Sequence, residues 1–249
     1  MMSEKEKTPK KEFTKKTSRF LTVLLWLGAL SPFLVVLFLV YSQSDDELPS
    51  VETLENPPEL LASIVFADDA KTELGRYWSV NRTNIAYKDI SPFVFDALIA
   101  TEDERFLEHS GIDFRGVGRA IARMGEGGGA STITQQLAKL IFTLEERKRI
   151  AELKAQGKPI LNERSGNVKR LNEKVKENII AVRLEERYTK EEIMTMYLNQ
   201  FDFLYNAVGI ENAANVYFNK KPIDLNRQEA ATLIGMCKNP DLYNPYHAQ

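Results

Sequence analysis

EDERFLEHSGID (residues 102–113) and GGASTITQQLAK (residues 128–139) decide how this chain is read. The first places Glu102 and Asp103 where an apolar run ends, so two carboxylates arrive together at a helix terminus. The second passes from glycine into polar helix starters. Gly127, Gly128 and Gly129 open backbone conformations closed to other residues. Ser131, Thr132 and the free amides beyond them then face a helix N-terminus, which suits an anion such as phosphate. Gln135, Gln136 and Lys139 add donors one turn further on. A plain loop followed by a capped helix explains the glycines equally well, but leaves the paired glutamines unaccounted for.

Working outward, 249 residues with 43% hydrophobic content are enough to bury one sizeable core. The one cysteine, Cys237, allows no internal disulfide and reads as a small apolar residue near a helix end. Residues 1–20 hold seven Lys or Arg against three Glu, a local +4 in a chain of net charge −2. Everything after residue 20 is therefore acidic, which excludes a nucleic-acid footprint.

The basic start has another use. Phe20 to Tyr41 is uncharged throughout and spans about 33 Å as a helix, enough for a bilayer core. Pro32 is expected to kink it, which a membrane helix tolerates. Lysines and Arg19 precede the run, while Asp45, Asp46 and Glu47 follow it. By the positive-inside rule, residues 1–19 form a cytoplasmic tail, 20–41 a transmembrane helix, and the rest lies outside. A cleaved signal peptide fits less well, because the run is long and no small-x-small site follows.

Residues 42–90 read as a stalk. Asn56-Pro57-Pro58 excludes helix, and strand-like runs from Leu61 to Ala67 and Leu74 to Val80 flank a polar turn, predicting a hairpin. From Ser91 to Gln249 the pattern is helical, without repeats. Ser91-Pro92 predicts a start with a capping hydroxyl and proline in the first turn. Phe93, Val94, Ala97, Leu98 and Ala100 are expected in the core. Thr132/Gln135, Thr189/Glu192 and Asn226/Glu229 have capping-box spacing. Leu171, Val175, Ile179 and Val182 predict the buried stripe of a long amphipathic helix.

At a helix C-terminus the macrodipole disfavours negative charge, and Asp103 and Glu104 push the same way. Glu102 is thus expected to hold a proton more readily than usual, which suits a general base. Arg105 opposes that trend and is a candidate to orient the carboxylate. On residues alone, an ordinary solvated acidic helix end explains the cluster as well. Phe106 reads as packing and His109 as a hydrogen-bonded structural histidine.

Taken together, the two stretches resemble the first two motifs of the peptidoglycan glycosyltransferases. That family includes class A penicillin-binding proteins and monofunctional transglycosylases. The resemblance covers about residues 55–249. Glu177, in EKVKE (residues 173–177), resembles the Glu closing the third motif, Arg-Lys-x-x-Glu, with Lys174 in register. Glu173 stands where the family has Arg, which leaves Arg170 as a substitute contact. Tyr197-Leu198-Asn199, Gly209-Ile210 and Ala213-Ala214 resemble the fourth motif. Glu229, Ala230, Leu233, Gly235, Pro240, Tyr243, Asn244 and Pro245 resemble the fifth, and both are read as mainly architectural.

The resemblance implies a mainly α, lysozyme-like glycosyltransferase domain over 91–249, behind the transmembrane helix and hairpin stalk. It implies catalytic roles for Glu102, as base, and Glu177. Substrate contacts fall to Asp103, Arg105, Ser131, Thr132, Gln135, Gln136, Lys139 and Lys174. The implied substrate is lipid II, polymerised into β-1,4 glycan at the outer face of the bacterial plasma membrane. A divalent Mg or Mn ion at the pyrophosphate is the one cofactor expected. Membrane lipids and other cell-wall synthesis proteins are expected partners. Residues 143–170 are highly charged, as in a solvated helix; in the family this region faces the membrane. A glycan hydrolase and a non-catalytic cell-wall scaffold are the alternatives. Class A members continue into a transpeptidase from about the position of Asn244-Pro245.

Overall fold

The computed structural model describes residues 19–28, 30–31, 63–69, 73–77, 83–123, 131–157 and 166–246. The chain divides into two compact units, Met1–Glu47 and Leu48–Gln249. In the first, residues 19–28 and 30–31 are helical, with Leu25 and Trp26 exposed. Among the described residues no helix is long and apolar enough to cross a membrane. The expected span of 20–41 runs on through 32–41, which lie outside the described residues.

In the second unit the expected hairpin is present. Strands β1 (Ser63–Phe66) and β2 (Glu73–Tyr77) pair antiparallel, Ser63 opposite Tyr77 and Val65 opposite Gly75, with a bulge between Val65 and Phe66. The α-helices among the described residues of this unit are α1 (Pro92–Glu102), α2 (Phe114–Ala122), α3 (Ile133–Ala155), α4 (Asn167–Arg187), α5 (Lys190–Gln200), α6 (Ile210–Phe218) and α7 (Arg227–Lys238). Helix α1 packs along α7, and α3 packs along both α4 and α5.

All three predicted capping boxes form, at Thr132/Gln135, Thr189/Glu192 and Asn226/Glu229. Ser91 differs. Its hydroxyl donates to the Leu225 carbonyl at 2.9 Å, and α1 starts on Pro92 with no side-chain cap. Ser91 is buried against the 222–225 turn, whose carbonyls need donors, and that demand outweighs the cap. The core stripe of α1 also shifts from the predicted one. Val94, Phe95 and Leu98 are buried, whereas Phe93 and Ala100 face outward, Phe93 beneath the guanidinium of Arg227 at 5.2 Å.

On α4 the buried positions are Val175, Ile180, Ala181 and Leu184, while Leu171 is exposed and Ile179 and Val182 are half-buried. Among the side chains described, the last buried one on α3 is Ile141 and the first on α4 is Val175. Leu171 therefore belongs to the part of the pair that the core does not cover.

The loop after α1 is pressed against this pair. Gly111 has φ +89°, and a Cβ there would lie 2.9 Å from the Ala181 carbonyl oxygen. Both features demand glycine. Gly111→Ala is expected to cost about 2 kcal/mol or more, lowering the melting temperature by about 4–8 °C. Thermal unfolding followed by circular dichroism measures this directly.

Candidate active site

Glu102 is the last residue of α1, and Gln136 lies in the first turn of α3. Gln136 Nε2 donates to Glu102 Oε2 at 2.8 Å. Behind it, the Tyr197 hydroxyl of α5 donates to Gln136 Oε1 at 3.0 Å. The other carboxylate oxygen, Oε1, is buried without a donor among the described residues. An acceptor in that state costs about 1–3 kcal/mol until something satisfies it.

Glu102 heads a cleft of about 520 Å³. Lys139, Lys174 and Lys238 line it together with Glu177, and Tyr197, Phe201 and Cys237 form an apolar wall. Three ammonium groups against two carboxylates favour an anionic ligand. Lys174 Nζ bonds Ser131 Oγ at 3.0 Å and Glu177 Oε2 at 2.9 Å, so the third motif reaches across to the second. Lys139 is exposed on the cleft wall. Neither Glu173 nor Arg170 is among the residues lining it.

The expected cradle of free amides at α3 is not what the described residues show. Thr132 N–H donates to Gln135 Oε1 at 3.1 Å, Ile133 N–H to Asp103 Oδ2 at 3.1 Å, and Gln135 N–H to Thr132 Oγ1 at 3.1 Å. Thr132 Oγ1 itself donates to the Gly111 carbonyl at 2.7 Å, and Gln135 Nε2 to Asn178 Oδ1 at 2.9 Å. Thr132 and Gln135 are thus bound up in building the helix start, because a buried N-terminus must satisfy its own donors. The glycine run 127–129 lies outside the described residues.

Asp103, next in sequence to Glu102, faces the interior. It accepts from His109 Nε2 at 3.0 Å as well as from Ile133 N–H. His109 has the structural role read from the sequence. Arg105 does not orient Glu102; its guanidinium pairs with Asp113. Burial alone would raise the Asp113 carboxyl. The Arg105 hydrogen bond, the Gly116 amide and the Arg105 charge outweigh burial and hold it below the usual carboxylate range. A smaller cavity of about 50 Å³ lies on this side, between Arg105, Asp113, Arg119 and Ser131.

Three contributors to the cleft escaped the sequence reading. Lys238 closes α7 and enters the cleft only because α7 packs along α1. Phe201 has no place in the sequence reading, and Tyr197 figures there only within a motif taken as architectural; its ring is fully buried while its hydroxyl holds Gln136. The available signal was a phenol in an otherwise apolar helix face, since a buried tyrosine needs a partner. Burial pushes both the Tyr197 phenol and the Cys237 thiol far up, so each stays neutral beside Glu102.

The geometry defines a helical domain with a carboxylate at the head of a lysine-lined cleft. The transglycosylase family model matches residues 70–249. Penicillin-binding protein 1F of Bacillus subtilis (strain 168) is 38% identical over 190 residues, 75% of this chain and 24% of that protein. Penicillin-binding protein 1A of Escherichia coli (strain K12) is 33% identical over 213 residues, 84% of this chain and 22% of that protein. Penicillin-binding protein 2a of Streptococcus pneumoniae serotype 2 (strain D39 / NCTC 7466) is 32% identical over 226 residues, 91% of this chain and 27% of that protein. The chain belongs to the transglycosylase family, as a domain of the penicillin-binding protein type. It spans about a quarter of the length of these curated relatives.

Two outcomes follow from this geometry. Asp103→Ala removes the acceptor of both Ile133 N–H and His109, and is expected to destabilise the domain by about 2–4 kcal/mol in urea unfolding. Asp113, with its depressed folded value, stabilises fully above its unfolded value of about 3.9 and loses that contribution as pH falls through the folded value. Asp113→Asn should therefore flatten the decline in melting temperature between about pH 5 and about pH 2.

Proposed function

We propose that this domain polymerises lipid II into β-1,4-linked glycan, releasing undecaprenyl pyrophosphate. Family membership supports the reaction class. The observation that carries the reading is Glu102, fixed through one oxygen by Gln136, at the head of a cleft lined by three lysines.

In this reading the acceptor 4-hydroxyl gives its proton to Glu102 while its oxygen bonds to the donor's anomeric carbon. The bond from that carbon to the pyrophosphate oxygen breaks with inversion, and the electron pair leaves on the pyrophosphate. Lys139 and Lys174 meet the developing charge, as preorganised cations do in a partly water-excluded site. Glu177 acts by holding Lys174, the contact it makes here. Ser131 and Gln136 line the cleft beside them, while Asp103, Thr132 and Gln135 hold the frame.

Among the described residues no group of three His, Cys, Asp or Glu side chains could hold a metal ion. A Mg or Mn ion accordingly enters this reading as part of the pyrophosphate substrate, and no step depends on it. The uncharged run 20–41 anchors the chain in the plasma membrane with its basic end inside, and the charged ends of α3 and α4 meet lipid headgroups. Other cell-wall synthesis proteins are the partners such a position allows. A reporter fused after residue 50 should be exposed outside the membrane; a cytoplasmic reporter overturns that topology.

Glu102→Gln keeps shape but loses the proton acceptor. With labelled lipid II the rate is expected to fall by about 10²–10⁴ at unchanged melting temperature. Lys139→Ala should slow polymerisation without loss of stability, whereas Gln135→Ala should lower the melting temperature by removing a capping box. Parent protein that shortens preformed glycan and leaves lipid II untouched would establish a hydrolase instead.

A further inference from the structure

The relay behind Glu102 carries one step more, resting on the proposed role of Glu102 as base. We propose that Tyr197 is a positioning residue whose hydroxyl holds Gln136 Oε1 and fixes the amide with Nε2 toward Glu102, so that the carboxylate keeps its orientation as it takes up the proton.

A carboxamide is nearly symmetric in shape, and half a turn exchanges its donor and acceptor ends. An ionised Glu102 selects the Nε2 end, because a carboxylate only accepts. Once Glu102 has taken a proton, that selection weakens. A protonated carboxyl is also a donor, and a free amide would turn its oxygen to meet it. The amide is not free. Its oxygen is held by a phenol at 3.0 Å on a ring that is fully buried in the core and cannot swing away.

The phenol is a dependable donor, since burial keeps it neutral. The nearby Cys237 thiol is directed to the Leu233 carbonyl at 3.8 Å, a weak sulfur contact along its own helix. Gln136 therefore stays a donor to Oε2 in both protonation states. The carboxylate thereby keeps its orientation through the proton transfer.

Tyr197→Phe keeps the ring and its packing. In the full-length chain with lipid II, kcat is expected to fall about five- to tenfold, with KM and melting temperature nearly unchanged. Gln136→Met removes the relay from its other end, and in that background Tyr197→Phe should change kcat by less than about twofold, the non-additivity of residues acting in series. The side-chain amide resonances of Gln136 in a ¹⁵N spectrum should move in Tyr197→Phe. Unmoved resonances overturn the contact, and equal losses in the two backgrounds overturn the positioning role. Unchanged kcat in Tyr197→Phe, where Glu102→Gln abolishes polymerisation, overturns it as well. If the parent does not polymerise lipid II, the proposed function fails, and the amide resonances still decide whether Tyr197 fixes Gln136.

Discussion

The site depends on one buried carboxylate. Asp103 accepts from His109 Nε2 and from the first amide of α3, and so joins the end of α1 to the beginning of α3. With that junction fixed, the preceding residue on one element and a first-turn residue on the other must face each other, and these are Glu102 and Gln136. A second clamp holds the far side of the same loop. Lys190 Nζ donates to the His109 carbonyl at 2.6 Å, lies 4.2 Å from the centre of the Phe106 ring, and pairs with Glu185, which also accepts from Thr134. Every polar partner in that chain is largely buried. Removing one would strand the others, so the network specifies the loop geometry more than it adds stability.

The same junction decides how charge is handled. An α3 start used up by Asp103, Thr132 and Gln135 has little left to offer an anion among the described residues. An anion entering the cleft meets side chains instead, namely Lys139, Lys174 and Lys238. Lysine suits that task because its stem adapts while its charge stays put. Lys174 is restrained by Ser131 and Glu177. Its ammonium is thereby held at the cleft without being neutralised by a fully buried pair, for the lysine itself is 44% exposed.

Capping boxes were legible because each is a local contest over three or four residues, settled by hydrogen-bonding geometry alone. Thr132, Thr189 and Asn226 all behave as their spacing requires. Ser91 was misread for the complementary reason: a carbonyl 134 residues away claims its hydroxyl. The stripe on α4 failed similarly, since periodicity finds an apolar face but not where a helix leaves the core. Glu102, Gln136, Lys139, Lys174 and Glu177 were all picked out and converge on one cleft. What the residues could not reveal was the division of labour between neighbours. Asp103 and Glu102 are chemically alike and adjacent, yet one is 8% exposed and caps a helix while the other heads the cleft. Only the path of the chain after residue 103 separates them.

That separation explains why the two carboxylates are adjacent at all. A base, the role proposed for Glu102, must keep its direction while its charge changes, and a residue at a helix end is free to fray. Here α1 cannot fray, because the residue that ends it is bound on both sides. The Asp103 amide closes the last turn on Ile99 and its side chain closes the next helix. The rigidity that Glu102 needs comes from its neighbour, and the neighbour's own charge is spent inside the fold. Glu102 is left with one orienting donor and one oxygen without a donor among the described residues. A solvated acidic helix end would have neither constraint, and its carboxylate would point wherever water allowed.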